Sequence, residues 1–153
     1  MARISDFDEA TQRHLTSMEM PKFVSTAWTL AKPARQSRMA IISTAGLQRR
    51  GDTPFTVGSA DYRLLPGDVA AADLVMSHIS TNFDRTGFQD DHNVVFPIDR
   101  LKELERAGEI GSVASMHYAF MGASSPAAIE RPARQLAGLL KQDQVDAVLL
   151  VPV

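Results

Sequence analysis

Apolar positions along the chain follow two rhythms. Over 6–20, Phe7, Ala10, Leu15 and Met18 recur at helical spacing before Pro21 breaks the run, which predicts an amphipathic helix. A linker containing Trp28 and Pro33 completes a helical and irregular N-terminal segment over 1–35. RMAIISTAG then predicts a buried strand over 39–44 that ends at Gly46, and AADLVMSHIS predicts a second strand over 74–79. Between them, 47–68 holds Gly51, Gly58, Gly67, Pro54 and Pro66, punctuation dense enough to predict a long surface loop with at most short pieces of structure. Farther on, Ile98, Leu101, Leu104 and Ala107 share one helical face, with Asp99 in the first turn, where the helix dipole favours an anion. Gly108 ends that helix, and Ile110 is placed to cover a Schellman turn. A third strand is predicted over 113–120. A last helix opens on the Ser125–Pro126 pair and carries Leu136, Leu139 and Leu140 as its stripe, with Pro132 starting or kinking it. The β-branched-rich run 147–153 predicts a final buried strand of the parallel-sheet kind.

Strand, loop, strand, helix, strand, helix, strand is the order of an α/β fold. The expectation is a single domain over 1–153 with a mainly parallel sheet of about four strands flanked by helices, layered in the flavodoxin-like or Rossmann-like manner. No repeat of 20 to 50 residues and no low-complexity tract interrupts it.

Composition narrows the function. A formal charge of −2 and a pI near 6.1 offer no concentrated cationic face for nucleic acid or anionic lipid. No apolar run reaches the roughly 20 residues that cross a bilayer, and the N-terminus is polar and charged, so the expectation is a cytoplasmic protein that engages neither nucleic acid nor membrane. With no cysteine, the chain has no thiolate ligand or nucleophile of its own.

Candidate chemistry lies at strand ends. GLQRRGDT (Gly46 to Thr53) has the spacing of a phosphate-binding loop, but Asp52 stands where such a loop needs lysine, and no GxGxxG is present. The loop SHISTNFDRTGFQDDHN brings together His78, Asp84, Asp90, Asp91, His92 and Asn93, groups suited to acid–base chemistry or to metal ligation. Their spacing is no metal signature, since the two histidines lie 14 positions apart with no short HxH or HxxxH pair. For Asp84, Asp90 and Asp91 the favoured reading is that of solvated loop carboxylates, and His78 also reads as a strand-end histidine bonded to backbone. His117 and Tyr118, within an apolar strand, read as satisfied core residues. Arg49, Arg50 and Arg63 could hold a carboxylate but also suit an exposed loop. The seven methionines read as core filling.

The run NVVFPIDRLKELERAGEIGSVASMHYAFMG resembles the selenoprotein B subunits of the glycine/sarcosine/betaine/D-proline reductase family. Asn93, Pro97, Asp99, Leu101, Leu104, Gly108, Ile110, Gly111 and Gly122 carry the likeness. Thr44, Gly46 and Gly51 in STAGLQRRGD extend it, as do His78 and Asp84, and it spans 38–153. In that family a VDAVLLVPV-like strand leads directly into a motif with selenocysteine or cysteine, so the resemblance implies a nucleophile just beyond Val153 and makes this chain the N-terminal part of a longer reductase subunit, inactive by itself. It further implies reductive cleavage of a C–N bond in an amino acid or betaine, a partner subunit whose pyruvoyl carbonyl takes up the amino group, and a thiol or thioredoxin-type reductant. Within this chain His78 becomes the candidate proton donor or substrate contact, with Gly46, Asp84, His92 and Asn93 lining the substrate crevice and no metal or cofactor of the chain's own. Asn82, Phe83 and Asp84 stand where the amino-acid-fermenting members carry Gly-Tyr-Asp, which leaves the substrate open.

Two other readings stay in play: a metal-dependent hydrolase using the His78–His92 loop, and a non-catalytic α/β interaction subunit. The open edge of a parallel sheet also invites association with a second copy. The nucleotides after the Val153 codon separate these readings. UGA followed in frame by a nearby cysteine codon is the expected result; any other stop with no coding sequence beyond it would remove the redox reading.

Overall fold

The computed structural model describes residues 3–18, 22, 29–80 and 83–153. In chain order its regular elements are α1 (Glu9–Ser17), β1 (Arg38–Ser43), β2 (Leu47–Arg49), β3 (Arg63–Pro66), β4 (Leu74–Met76), α2 (Thr86–Asp90), α3 (Ile98–Arg106), β5 (Ser112–Val113), β6 (Met116–Ala119), α4 (Pro126–Gln142) and β7 (Ala147–Val151).

The apolar run MAII makes β1 the central strand. β7 lies parallel to it, from Met39 opposite Ala147 to Ser43 opposite Val151. β5 and then β6 run parallel along its other side, and β3 pairs antiparallel with β6, so the five-stranded sheet is mixed. β2 and β4 form a separate antiparallel pair, Leu47 opposite Met76 through Arg49 opposite Leu74. Single-sided apolar stripes explain the layers. α4 covers one face, where Leu136 meets Tyr118 and Phe120 with Ile129, Leu139 and Leu140 around them. On the other face α3 contributes Ile98 and Leu101, and the β2–β4 pair contributes Leu47 and Leu74, to a cluster with Ile41, Leu65, Phe96 and Ala119.

α3 and α4 start and end at their sequence signals, although of the α3 stripe only Ile98 and Leu101 are buried and Leu104 and Ala107 are exposed. Glu109 N–H reaches Leu104 O at 2.9 Å and Gly108 N–H reaches Glu105 O at 3.0 Å, a Schellman turn with Gly108 at φ +70° and Ile110 buried against the core. Ser125 Oγ caps α4 by accepting from Ala128 N at 3.2 Å, and the helix runs through Pro132. α1 is capped by Asp8, but none of its residues is buried, and Phe7, Leu15 and Met18 stay exposed. Pro21 and Trp28 lie outside the described residues.

The segment 47–68 is a loop holding two short pieces of structure, β2 and β3, with Gly51, Pro54 and Gly58 in the chain between them. Three expectations need correction. The strand predicted over 74–79 does not join a parallel sheet. It folds back on β2 because the chain turns out of the main sheet at Gly46. β7 is not buried but an edge strand, with Leu149 half exposed and Leu150 67% exposed.

The strand expected over 113–120 is two strands with a break. From Met39↔Val113 to Ile42↔Tyr118 the register advances three residues on β1 and five on its neighbour. Ala114 N still reaches Met39 O at 2.8 Å, whereas Ser115 O accepts from Gly67 N at 2.9 Å, and the amide of Ile41 is left without a strand partner. His117 replaces it: Nδ1 accepts from Ile41 N at 2.9 Å in a fully buried position. His117 is thus a satisfied core residue at that nitrogen. Burial pushes its pKa down from 6.5 to about 4, with Lys102 and then Arg38 acting in the same direction and Asp143 against it.

A folded ring that stays neutral down to about pH 4 is opposed by an unfolded ring that takes a proton below 6.5. Stability therefore falls as pH drops through that window, by roughly 3 kcal/mol from this group. His117→Leu is expected to cost about 1–3 kcal/mol at pH 7 by leaving the Ile41 amide unpaired, and to lack the acid-dependent component, so that urea midpoints of variant and wild type converge towards pH 4. Parallel midpoints across that range would refute this account.

Candidate active site at the carboxyl edge of the sheet

Because β1, β6 and β7 are parallel, their carboxyl ends reach the same edge of the sheet. Thr44 knits them together. Its amide donates to Val151 O at 3.0 Å, its Oγ1 accepts from Val153 N at 2.8 Å, and its carbonyl accepts from Gly122 N at 2.8 Å. Gly46 adds a fourth chain segment, with its amide on Phe120 O at 2.9 Å and its carbonyl accepting from Ser77 N at 3.0 Å. Two glycines make this convergence possible. Gly46 has φ +65°, and a Cβ there would stand 3.1 Å from the Cα and N of His78. A Cβ on Gly122 would lie 2.6 Å from Val153 O, 2.9 Å from Thr44 O and 3.3 Å from His78 Nε2.

His78 follows β4 and turns into this edge. Its side chain is buried, Nδ1 accepts from Ser80 N at 3.2 Å, and Nε2 has no hydrogen-bond partner among the described residues. Burial first, and the nearby Arg85 cation second, push its pKa below the usual value, so near neutral pH the ring is uncharged with its proton on Nε2. His78, Ser80, Phe83, Gly122, Ala123 and Val153 line a cavity of about 240 Å³. The Phe83 ring lies 5.0 Å from the imidazole and forms one wall. On the far side of Gly122 and Val153, Thr44, Pro126, Ile129, Ala133 and Ala137 help line a larger apolar groove of about 650 Å³ against α4.

The other predicted residues lie in local motifs. Gly46 positions His78 from behind and does not line the cavity. Asp84 is exposed, accepts from Thr86 N at 2.9 Å at the start of α2, and has a pKa lowered by the hydrogen bonds of Thr86. Asn93 links Asp91 to α3: its Oδ1 accepts from Asp99 N at 3.1 Å, and its Nδ2 donates to Asp91 Oδ1 at 2.9 Å and Asp99 Oδ2 at 3.1 Å. His92 Nε2 lies 3.2 Å from Asp99 Oδ2. None of Asp84, His92 and Asn93 lines the His78 cavity. The phosphate-loop look-alike is a strand and a turn, Asp52 Oδ2 accepting from Arg49 N at 3.3 Å. Arg50 donates to Ala72 O, and Arg63 donates to Thr53 O and pairs with Asp61. Among the described residues no three His, Asp or Glu side chains come together to hold a metal, and no helix is long and apolar enough to cross a membrane. Sequence reasoning missed Phe83 as a cavity wall and Arg85 altogether; one exposed arginine in a polar loop looks like any other until His78 is seen beside it.

Comparison with known proteins places the chain. The family described as glycine/sarcosine/betaine reductase selenoprotein B matches residues 10–153. The chain is 32% identical to the D-proline reductase subunit gamma of Acetoanaerobium sticklandii over 127 residues, 80% of this chain and 52% of that protein. It is 29% identical to the betaine reductase complex component B subunit beta of Peptoclostridium acidaminophilum, covering 88% of this chain and 32% of the relative. It is also 29% identical to the glycine reductase complex component B subunit gamma of Symbiobacterium thermophilum, covering 78% and 29%. The chain thus spans between about a third and a half of the relatives it matches. No solved structure matches it.

Gly122→Ala tests the convergence. The added methyl meets two backbone oxygens inside normal contact distance, so the strand ends must part at a cost of about 1–3 kcal/mol. The expected result is a lower urea midpoint with faster hydrogen exchange at the amides of Thr44, Gly122 and Val153. An unchanged midpoint and unchanged exchange would show that the edge is not held as described.

Proposed function

The chain belongs to the glycine/sarcosine/betaine reductase selenoprotein B family, and on that premise we propose that it serves in a multi-subunit reductase that cleaves a C–N bond of an amino acid or betaine. The observation that carries this reading is the family match across 10–153. The relatives' names support it: all are subunits of D-proline, betaine or glycine reductases.

The reacting selenol or thiol belongs, in this proposal, to sequence continuous with β7, and the amine-binding carbonyl to a pyruvoyl-containing partner. A selenolate or thiolate at that place supplies the nucleophile for the substrate carbon, and external thiols restore it. The residues present suit such a group. Gly122 carries no side chain where the strand ends meet, and beside them His78 Nε2 has no hydrogen-bond partner among the described residues. Thr44 fixes the direction in which β7 leaves the sheet, through its two hydrogen bonds to Val153. Phe83 and Ala123 supply apolar parts of the cavity wall beside His78. His78, neutral and oriented by Ser80, donates its Nε2 proton or holds a substrate atom. The metal-dependent hydrolase gains no support, because His92 is engaged with Asp99 and His78 lies in a separate cavity.

The test uses protein purified from its native host with its partners. Glycine, sarcosine, betaine and D-proline are offered in turn with dithiothreitol as reductant, and the partners are checked for a pyruvoyl group by mass shift with hydroxylamine. Reduction of at least one substrate is expected, together with a fall in kcat of about 10²-fold for His78→Phe at an unchanged urea midpoint. The 153-residue chain alone is expected to be inactive. A purified complex that reduces none of the four would overturn the reading, and turnover by the lone chain with dithiol would overturn the placement of the nucleophile outside it.

A further inference from the structure

The three loop arginines differ in how far they are engaged. Arg50 donates to Ala72 O, and its Nε lies 4.0 Å from the Asp73 carboxylate. Arg49 and Arg63 instead line one open cleft of about 580 Å³, at the two ends of the connection between β2 and β3. Arg49 is exposed, and its guanidinium enters no ion pair or hydrogen bond among the described residues.

Arg63 is held in place. Its side chain is 13% exposed, Nε donates to Thr53 O at 2.8 Å, and Nη1 donates to Asp61 Oδ2 at 2.8 Å and to Tyr62 O at 3.2 Å. The guanidinium carbon stands over the Phe55 ring, 4.4 Å from its centroid, in a cation–π contact. Nη2 alone is left without a partner among the described residues, and because the group is planar the other bonds fix its direction.

Two carboxylates line the same cleft. Asp52 uses Oδ2 to accept from Arg49 N at 3.3 Å and Asp61 uses Oδ2 on Arg63, which leaves Oδ1 of each without a partner among the described residues. Leu64 and Met116 form apolar parts of the wall, and the Tyr62 ring is fixed edge-on against Tyr118 and Phe120 at 5.7 and 5.8 Å between centroids. The charges select the ligand. With two cations and two anions, a lone anion drawn to Arg49 is also repelled by Asp52 and Asp61, and a lone cation meets the converse conflict. A neutral apolar molecule would strip water from four charged groups and return no hydrogen bond. A zwitterion offers an acceptor to the arginines with one end and a donor to the carboxylates with the other.

We propose that this cleft binds a zwitterion of the α-amino-acid kind. The ligand's carboxylate accepts from the Arg49 guanidinium and Arg63 Nη2, and its ammonium group donates to Asp52 Oδ1. The site shares no lining residue with the His78 cavity and goes beyond the reductase reading.

The experiment titrates proline into the purified protein at neutral pH and constant ionic strength, and follows backbone amides and arginine Nε–H groups by NMR. A saturable shift is expected at the amides of Arg49 and Thr53 and at Arg63 Nε–H, with the amides of Ile41 and Thr44 unmoved. Acetate and methylammonium, each given alone, are expected to bind at least about tenfold more weakly. Arg49→Gln and Asp52→Asn should each weaken proline binding about tenfold, the loss of one charge-assisted hydrogen bond. The Asp52→Asn side chain keeps a carbonyl that can accept from Arg49 N, so the turn survives while the charge is lost, and unmoved Ile41 and Thr44 amides report an intact sheet in both variants. A shift that stays linear in concentration, one that acetate or methylammonium reproduces at equal strength, or one that survives both substitutions would overturn the site. Binding is read without turnover or partner, so a negative result here leaves the reductase reading standing, and a complex that reduces nothing leaves a positive result here intact.

Discussion

The structure depends on β1 being satisfied on both sides. A central parallel strand must find partners for every amide and carbonyl, since none can reach water. β7 supplies one full side. The other is supplied in two pieces, β5 and β6, and the gap between them is bridged by an imidazole. The amino end of β1 is held by Arg38. Its backbone exchanges hydrogen bonds with Asp146, while its guanidinium reaches Asp143 Oδ1 at 2.7 Å, Asp143 O at 2.8 Å and Val113 O at 3.0 Å. One side chain thus sets where β5 and β7 begin relative to β1. Asp146 is drawn in by Lys32 as well, and that hydrogen bond is the main cause of its lowered pKa.

With the amino edge fixed, the carboxyl edge is determined by geometry. Parallel strands of fixed register end together, and Thr44, Gly122 and Val153 meet because Ser43 at the end of β1 is in register with Ala119 of β6 and Val151 of β7. The β2–β4 pair then delivers His78 to that point through Gly46, whose left-handed turn takes the chain out of the sheet. Local and global choices agree at these positions, as expected of a fold that specifies one structure. They disagree at β7, whose apolar composition suits an interior strand while Leu150 is largely exposed.

How much of this the sequence revealed follows from the range of each interaction. α3 was readable because its stripe, Asp99, Gly108 and Ile110 are neighbours in sequence, and so was the start of α4 at Ser125–Pro126. β1 was readable as a continuous apolar run. β2 and β3 were not, since three or four residues with Gln48 or Arg63 among them carry no periodicity and exist through partners far along the chain. The break between β5 and β6 leaves no mark on SVASMHYAF, because it depends on register against β1. At the site, His78 was found as a polar residue at a strand end. The grouping with Asp84, His92 and Asn93 followed from proximity in sequence, whereas their hydrogen bonds are the short-range caps that open α2 and α3.

The two buried histidines show why an unpaired nitrogen alone does not define a site. Both rings use Nδ1 to accept a backbone amide, both carry a lowered pKa, and both leave Nε2 without a partner among the described residues. Each Nε2 lies 3.3 Å from where a Cβ on a neighbouring glycine would be, Gly67 for His117 and Gly122 for His78. They differ in where the ring stands. His117 lies inside the sheet, edge-on to Phe96 at 5.5 Å between ring centroids, and repairs the β1 ladder. His78 lines a cavity at the meeting of three strand ends, with Arg85 close by. That difference in position, with Nδ1 used in the same way, separates a histidine built into the sheet from one standing at its carboxyl edge.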